Sequence, residues 1–328
     1  MTKPKVFVTR RIQEEGASLI REFCEAEFWP GELPPEYDIL CAKVTGIDGL
    51  LCLLTDKVDA ALMDAAGASL RVISNHAVGY DNIDVAAATR RGIPVGNTPG
   101  ILTETTADFA FALILAAARR LVEGDRFTRA GKWQTWDPMG MLGVDIYQAT
   151  LGIVGYGRIG RAVARRAAGF EMHILYNDPA CPETETPDEN GAICVDMDRL
   201  LVESDFISIH TPLNEETYHL FDANLLAKMK PTGILINTSR GPVVDPEALY
   251  QALKEGVIAY AAIDVTEPEP IPEDSPLLEL ENLIITPHIA SASRATRGKM
   301  ALYAAQNLIA GLKGERLPYS VNPEVYDS

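Results

Sequence analysis

Short apolar runs alternate with amphipathic stretches along almost the whole chain. Residues 6–8, 50–54, 71–74 and 94–95 read as β-strands, and 60–66 and 85–91, the latter stopped by Gly92, read as helices between them. From Thr150 a second series begins, with strands over 151–154, 173–176, 206–210, 234–237, 259–265 and 283–286 and helices that include 158–168 and 246–255. Alternation of this kind predicts parallel sheets covered by helices. Between the series lies a long helical stretch, with Thr103 as its expected N-cap and an end near Arg120. Phe109, Leu113, Ala116 and Ala117 share one face, and the Ala/Leu/Phe content predicts burial on several sides, as for a helix between domains. A last helix, 295–312, follows the completed second series, so it is free to return to the first domain.

Two segments break the pattern. Residues 131–143 carry Trp133, Trp136, Met139 and Met141 with three glycines and no helical or strand period. They fit an ordered loop over the chain's own core or an arm packed on a second subunit. Residues 179–190 form an acidic, proline-rich loop too short to be a domain linker.

Composition narrows the partners. The 328 residues hold 29 Lys+Arg against 46 Asp+Glu, a net charge of −17, with 47% hydrophobic and 23% charged residues. That suits a soluble globular protein of about two domains. It argues against nucleic acid or an anionic membrane as the main partner, since both call for a positive footprint. The longest apolar run, 109–118, is half of what a spanning helix requires, and Met1 to Val6 lack a signal-peptide core. The five cysteines are scattered without a Cys-x-x-Cys, which suits free thiols in a reducing cytoplasm and makes a cysteine-bound metal unexpected.

The chemistry begins at Gly155-Tyr156-Gly157-Arg158-Ile159-Gly160, a G-x-G-x-x-G that follows a β-run and opens an amphipathic helix. Gly155 makes the tight turn, Gly157 lets the backbone approach a pyrophosphate, and Gly160 lets helix and strand pack closely. The helix N-terminus offers amides and a positive dipole end, and Arg158 can add a charge-assisted contact. Asp178 stands 18 residues beyond Gly160, at the end of the next strand, and suits the ribose hydroxyls of NAD. An NADP site would place a cation there, and none appears before Arg199. NADH is therefore expected over NADPH.

Three further residues follow late strand ends, where ligands bind in a doubly wound sheet. Arg240 can grip a carboxylate with its guanidinium fork. His288 can protonate a ketone oxygen as hydride arrives at carbon. Glu269 can orient that imidazole and favour its charged form. Each alone reads as an ion pair, a loop acid or a cap-region histidine; together they fit one reaction. Of the other histidines, His173 sits in a strand, His219 in a helical stretch at 217–220, and His210 at a strand end where it borders a cofactor. His76 lies in a loop whose Gly79 can expose amides to an anion.

These residues resemble the D-isomer-specific 2-hydroxyacid dehydrogenases. Gly155–Gly160, Asn237-Thr238-Ser239-Arg240-Gly241, Asp264-Val265 with Glu269-Pro270, and Thr286-Pro287-His288 carry the resemblance over essentially the whole chain. Residues 53–57, 77–84 and 97–99 resemble glyoxylate/hydroxypyruvate reductases in particular. The resemblance implies an α/β protein of two Rossmann-like domains, each a doubly wound parallel sheet. Residues 1–100 plus 290–328 would bind substrate, 101–289 would bind NAD, and the active site would lie in the cleft between them. It implies a homodimer, which favours the arm reading of 131–143. Arg240, Glu269 and His288 inherit catalytic roles. Leu54, Val78 and Gly79 fall on the substrate side, with the Val78-Gly79 backbone holding the carboxylate beside Arg240. Thr106, Thr211, Pro212 and Thr217 join the cofactor contacts, as do Thr238, Ser239, Asp264, His288 and Ala290. The family spacing, five residues after Asp264, selects Glu269 over Glu267.

Departures from the family pattern are Gln148-Ala149 where Gly-Lys is common, Thr266 where an aromatic is usual, and Asp178-Pro179 where many NADPH-preferring members carry Ser/Arg/Thr. Phosphite dehydrogenase shares the pattern but carries a lysine where Val78 stands. D-lactate-type substrates are a further alternative. NADH-sensing corepressor scaffolds keep the same three residues but usually add a long flexible tail. The expected reaction is transfer of a hydride from NADH to C2 of a small 2-oxo acid, giving the D-2-hydroxy acid, with no metal.

Overall fold

The computed structural model describes residues 2–181 and 186–327, so part of the acidic segment 179–190 lies outside the described residues. The chain divides into two compact units, Met1–Leu102 with Ala292–Ser328, and Thr103–Ser291. Each is built on an all-parallel sheet.

The first unit has five strands, β1 Lys5–Val8, β2 Glu25–Phe28, β3 Gly49–Cys52, β4 Val72–Asn75 and β5 Val95–Gly96, in the order β2-β1-β3-β4-β5. β3 and β4 are buried along their whole length, as expected of parallel strands covered on both faces. The last helix, Arg294–Leu312, is capped by Ser293, whose hydroxyl accepts the Thr296 amide at 3.1 Å. It is built into this unit. Ala304, Ala305 and Leu308 pack with Val6, Val8, Leu51 and Val72. Ser74 donates to the Ala304 carbonyl at 2.8 Å, and Asn307 to that of Asn97 at 2.8 Å.

The second unit has seven strands: β6 Thr150–Val154, β7 His173–Asn177, β8 Ile193–Cys194, β9 Phe206–Ile209, β10 Ile234–Asn237, β11 Tyr260–Ile263 and β12 Leu283–Ile285. Their order is β12-β11-β10-β9-β6-β7-β8. After β6 the chain adds β7 and β8 on one side and then crosses to β9 on the other. The switch point of the sheet is therefore at β6, where doubly wound folds bind ligands. The long helix runs Thr103–Ala118, beginning at Thr103 rather than being capped by it. Its burial on several sides is met within this unit, where it lies on β10 and β11 and against the helix Arg158–Ala168. A second helix, Leu121–Arg129, follows it.

Two expectations need correction. Cys181 and Cys194 are not free thiols: they form a disulfide, with Cα atoms 5.9 Å apart, inside the usual bridging range. Pairing of β8 with β7 brings Cys194 beside Tyr176, close to the chain just after Asp178. Cys24, Cys41 and Cys52 are free. Nor does His219 sit in a helix. It occupies a turn at φ +50°, a backbone conformation that costs a non-glycine residue energy.

Candidate active site

The parallel register aligns three strand ends. Asn237 of β10 pairs with Ile263 of β11, and Ile263 with Ile285 of β12. The loops that follow carry Arg240, Glu269 and His288, so adjacent strands about 4.8 Å apart deliver all three to one edge of the sheet.

Each loop is braced from within. Asn237 is 1% exposed; its side-chain oxygen accepts the Ser239 amide at 3.0 Å and hydroxyl at 2.9 Å, and its Nδ2 donates to the Arg240 carbonyl at 2.9 Å. That turn presents Arg240, whose Nη1 also donates to the Ser239 carbonyl at 2.9 Å. Gly241 must be glycine: a Cβ there would lie 1.9 Å from the Thr266 carbonyl oxygen. Asp264, also 1% exposed, accepts from Thr286 Oγ1 at 2.6 Å and from the amides of Ile289 at 2.9 Å and Ala290 at 2.7 Å. Its carboxylate is thus committed to shaping the loop that holds His288 at φ +54°.

His288 Nδ1 lies 2.6 Å from Glu269 Oε1. Both side chains are partly exposed, 23% and 34%. A carboxylate at Nδ1 fixes the ring's orientation and leaves Nε2 to work on a ligand. Glu267, two residues away, faces elsewhere and meets His219 Nε2 at 2.7 Å.

The nucleotide end is shaped for a dinucleotide. Gly155 adopts φ +89°, and a Cβ at Gly160 would lie 2.3 Å from the Gly155 carbonyl oxygen, so strand and helix meet without a side chain between them. A Cβ on Gly157 would meet nothing within 4 Å, which leaves the backbone open at the helix N-terminus. Thr211 Oγ1 and Thr238 Oγ1, at neighbouring strand ends, are buried without a partner among the described residues. An orphaned hydroxyl at Thr211, whose amide lies against Gly155, and a second on the next strand end suit a polar ligand, so the residues fit a dinucleotide.

Asp178 Oδ2 accepts the Tyr156 amide at 2.8 Å and its Oδ1 the Ala180 amide at 2.9 Å, which fixes the acid against the glycine turn. Arg158 is exposed and Ile159 half-buried at the start of the helix. Burial pushes the His210 imidazole down to about 4, so it is neutral at pH 7, and its Nε2 meets Ser208 Oγ at 2.8 Å. Thr217 Oγ1 donates to the Pro212 carbonyl at 2.7 Å, a bond internal to their turn. Thr106 is buried on the helix Thr103–Ala118. Among the described residues no cluster of His, Cys, Asp or Glu could hold a metal. No helix among them is long and apolar enough to cross a membrane.

In the first unit, Asn97 Nδ2 donates to the Val78 carbonyl at 2.7 Å and Asn75 Nδ2 to the Gly79 carbonyl at 2.9 Å. These two bonds fix the Val78 and Gly79 carbonyls, and in each trans peptide the amide that follows, of Gly79 and of Tyr80, points away from its carbonyl. Asn82 Nδ2 ties this loop to the carbonyls of Leu53 and Asp56, both at 3.0 Å, and so to the loop bearing Leu54. Asn237, Asn82 and Asn97 fall within the motifs quoted above, but the sequence assigns none of them, nor Asn75, a bracing role. Asparagine beside glycine-bearing turns was the available signal, since its side chain bonds neighbouring backbone.

Comparison with known proteins decides the family. Residues 111–290 match the model of the D-isomer specific 2-hydroxyacid dehydrogenase NAD binding domain. The chain belongs to the D-isomer specific 2-hydroxyacid dehydrogenase family. It is 57% identical to a glyoxylate reductase of Korarchaeum cryptofilum, over 98% of this chain and 97% of that one. Among solved structures, a Thermus thermophilus protein superposes with a TM-score of 0.90 at 44% identity, covering 97% of this chain and 99% of that one. An NADPH-dependent glyoxylate/hydroxypyruvate reductase of Sinorhizobium meliloti does so with 0.84 at 32% identity, covering 98% of each chain. As a D-2-hydroxyacid dehydrogenase, the chain is an oxidoreductase that uses NAD(P)H to reduce a 2-oxo acid.

Proposed function

We propose that the chain reduces glyoxylate and hydroxypyruvate with NADH, giving glycolate and the D-hydroxy acid. The observation that carries the reading is the 2.6 Å contact of His288 Nδ1 with Glu269, on a loop next to the one that presents Arg240. The dinucleotide, when bound over Gly155–Gly160, supplies the hydride that C2 of the substrate accepts. Arg240 grips the substrate carboxylate with its fork, and Leu54, Val78 and Gly79 are the proposed substrate-binding residues of the first unit. His288 holds a proton on Nε2 and delivers it to the C2 oxygen. Glu269 stabilises the charged imidazole before the transfer and keeps the ring aimed, and the ring then takes a proton back from solvent. The test is reductase activity on these two acids, with loss of activity in the His288 and Arg240 variants below.

Asp178 supports NADH over NADPH, because a carboxylate braced by two amides would repel a 2′-phosphate. Replacing Asp178 with serine is expected to shift the NADPH/NADH ratio of kcat/KM upward by about tenfold or more. An unchanged ratio would remove Asp178 as the selector.

A homodimer is favoured by residues 131–143, where Trp133, Trp136 and Met139 are 66%, 79% and 75% exposed. So large an apolar surface calls for a cover, and a second copy is the proposed one. Sedimentation is expected to give twice the chain mass, and Trp136→Asp the single mass. A reductase fed by an NADH pool works where that pool is, so the proposed location is the cytoplasm.

A further inference from the structure

The second histidine–glutamate pair has no part in the chemistry above, yet it sits where two of the site's loops meet. His219 Nε2 is 2.7 Å from Glu267 Oε2, and the Tyr218 hydroxyl donates to Glu267 Oε1 at 3.3 Å. The two rings stack, with centroids 4.0 Å apart. His219 Nδ1 stands 3.8 Å from Asp245, beyond hydrogen-bond reach, so Glu267 is the partner that holds the ring.

The backbone of the same turn is sewn to the loop after Arg240. The His219 amide donates to the Pro242 carbonyl at 2.7 Å, the Phe221 amide to that of Val243 at 3.0 Å, and the Asp245 amide to that of Phe221 at 3.1 Å. His219 therefore grips the Arg240 loop with its backbone and the Glu269 loop with its side chain. The two loops also touch directly, through Gly241 against the Thr266 carbonyl. His219 does this at φ +50°, a strained conformation that persists only where the surroundings over-determine it.

We propose that His219 and Glu267 are a positioning pair that fixes the Glu269 loop against the Arg240 loop, keeping Glu269 on Nδ1 of His288. The inference rests on the reductase reading for its kinetic signature, but its geometric content does not.

Two measurements test it. The first is steady-state kinetics with NADH and glyoxylate on Glu267→Ala, Glu267→Gln, His219→Ala and the double alanine variant. Glu267→Ala is expected to lower kcat about tenfold while the NADH KM stays within about twofold, because the glycine cradle is untouched. Glu267→Gln keeps an acceptor oxygen for Nε2–H and is expected to retain most of the activity. The double variant is expected to be no worse than either single one, the mark of a shared interaction. Wild-type kcat in Glu267→Ala, or a glutamine variant as poor as the alanine one, would overturn the proposal.

The second needs no turnover, and so separates failure of this proposal from failure of the reductase reading. The imidazole ¹⁵N spectrum, with the His288 signal assigned by its absence in His288→Ala, is expected to show the His288 Nδ1 resonance displaced in Glu267→Ala and in place in Glu267→Gln. A His288 resonance unmoved in the alanine variant would overturn the proposal whatever the substrate.

Discussion

Replacing His288 with alanine is expected to lower kcat by about 10²–10⁴-fold while NADH binding is retained. Its Nδ1 lies 2.6 Å from Glu269, on the loop that neighbours the Arg240 loop. Without the imidazole the C2 oxygen must take its proton from water, and the alkoxide formed on hydride arrival has no donor aimed at it. The backbone gives this prediction a control. Residue 288 sits at φ +54°, which alanine adopts only with strain but asparagine tolerates. If the loss came from a collapsed loop, His288→Asn would restore much of the activity. Both variants are expected to be comparably slow, with NADH fluorescence titrations close to wild type.

Arg240→Ala is expected to lower kcat/KM for glyoxylate by about 10²–10³-fold, with much of the loss in KM. Two charge-assisted hydrogen bonds to a carboxylate are worth about 1.5–3 kcal/mol each, and water replaces only part of that. Arg240→Lys should fall between alanine and wild type. It keeps the charge but loses the planar fork that sets the angle of the acid. Asn237, through its bonds to Ser239 and Arg240, holds the turn in all three proteins, so the comparison reads the side chain rather than the loop. A glyoxylate KM unchanged in Arg240→Ala would place the substrate carboxylate elsewhere.

Much of the architecture was legible because its signals are local. The runs that became β6, β9, β10 and β11 are mostly apolar, with Thr150, Ser208 and Asn237 the polar exceptions, as expected of strands buried on both faces. The glycine turn combined strand, turn and helix in one stretch. Elements whose stability is not local were missed. β2, Glu25-Ala26-Glu27-Phe28, alternates charge with apolar residues at a sheet edge, and β8 is two residues long. The helix Leu121–Arg129 carries Gly124 and no buried residue. The disulfide escaped because cysteine spacing does not reveal that β8 returns beside β7. Choosing Glu269 over Glu267 needed family spacing; the two are chemically alike, and only the fold shows that one faces His288 and the other His219. For His219 itself, a residue in a turn whose partner lies 48 positions away, the sequence held no signal.

Initial rates of the purified chain with NADH and NADPH, each paired with glyoxylate, hydroxypyruvate and pyruvate, separate the cofactor and substrate possibilities in one experiment. Rapid NADH-dependent reduction of glyoxylate or hydroxypyruvate is expected, with slower rates for NADPH and for pyruvate. Turnover of pyruvate alone, or silence on every pair from protein that still binds NADH, would contradict the proposed function.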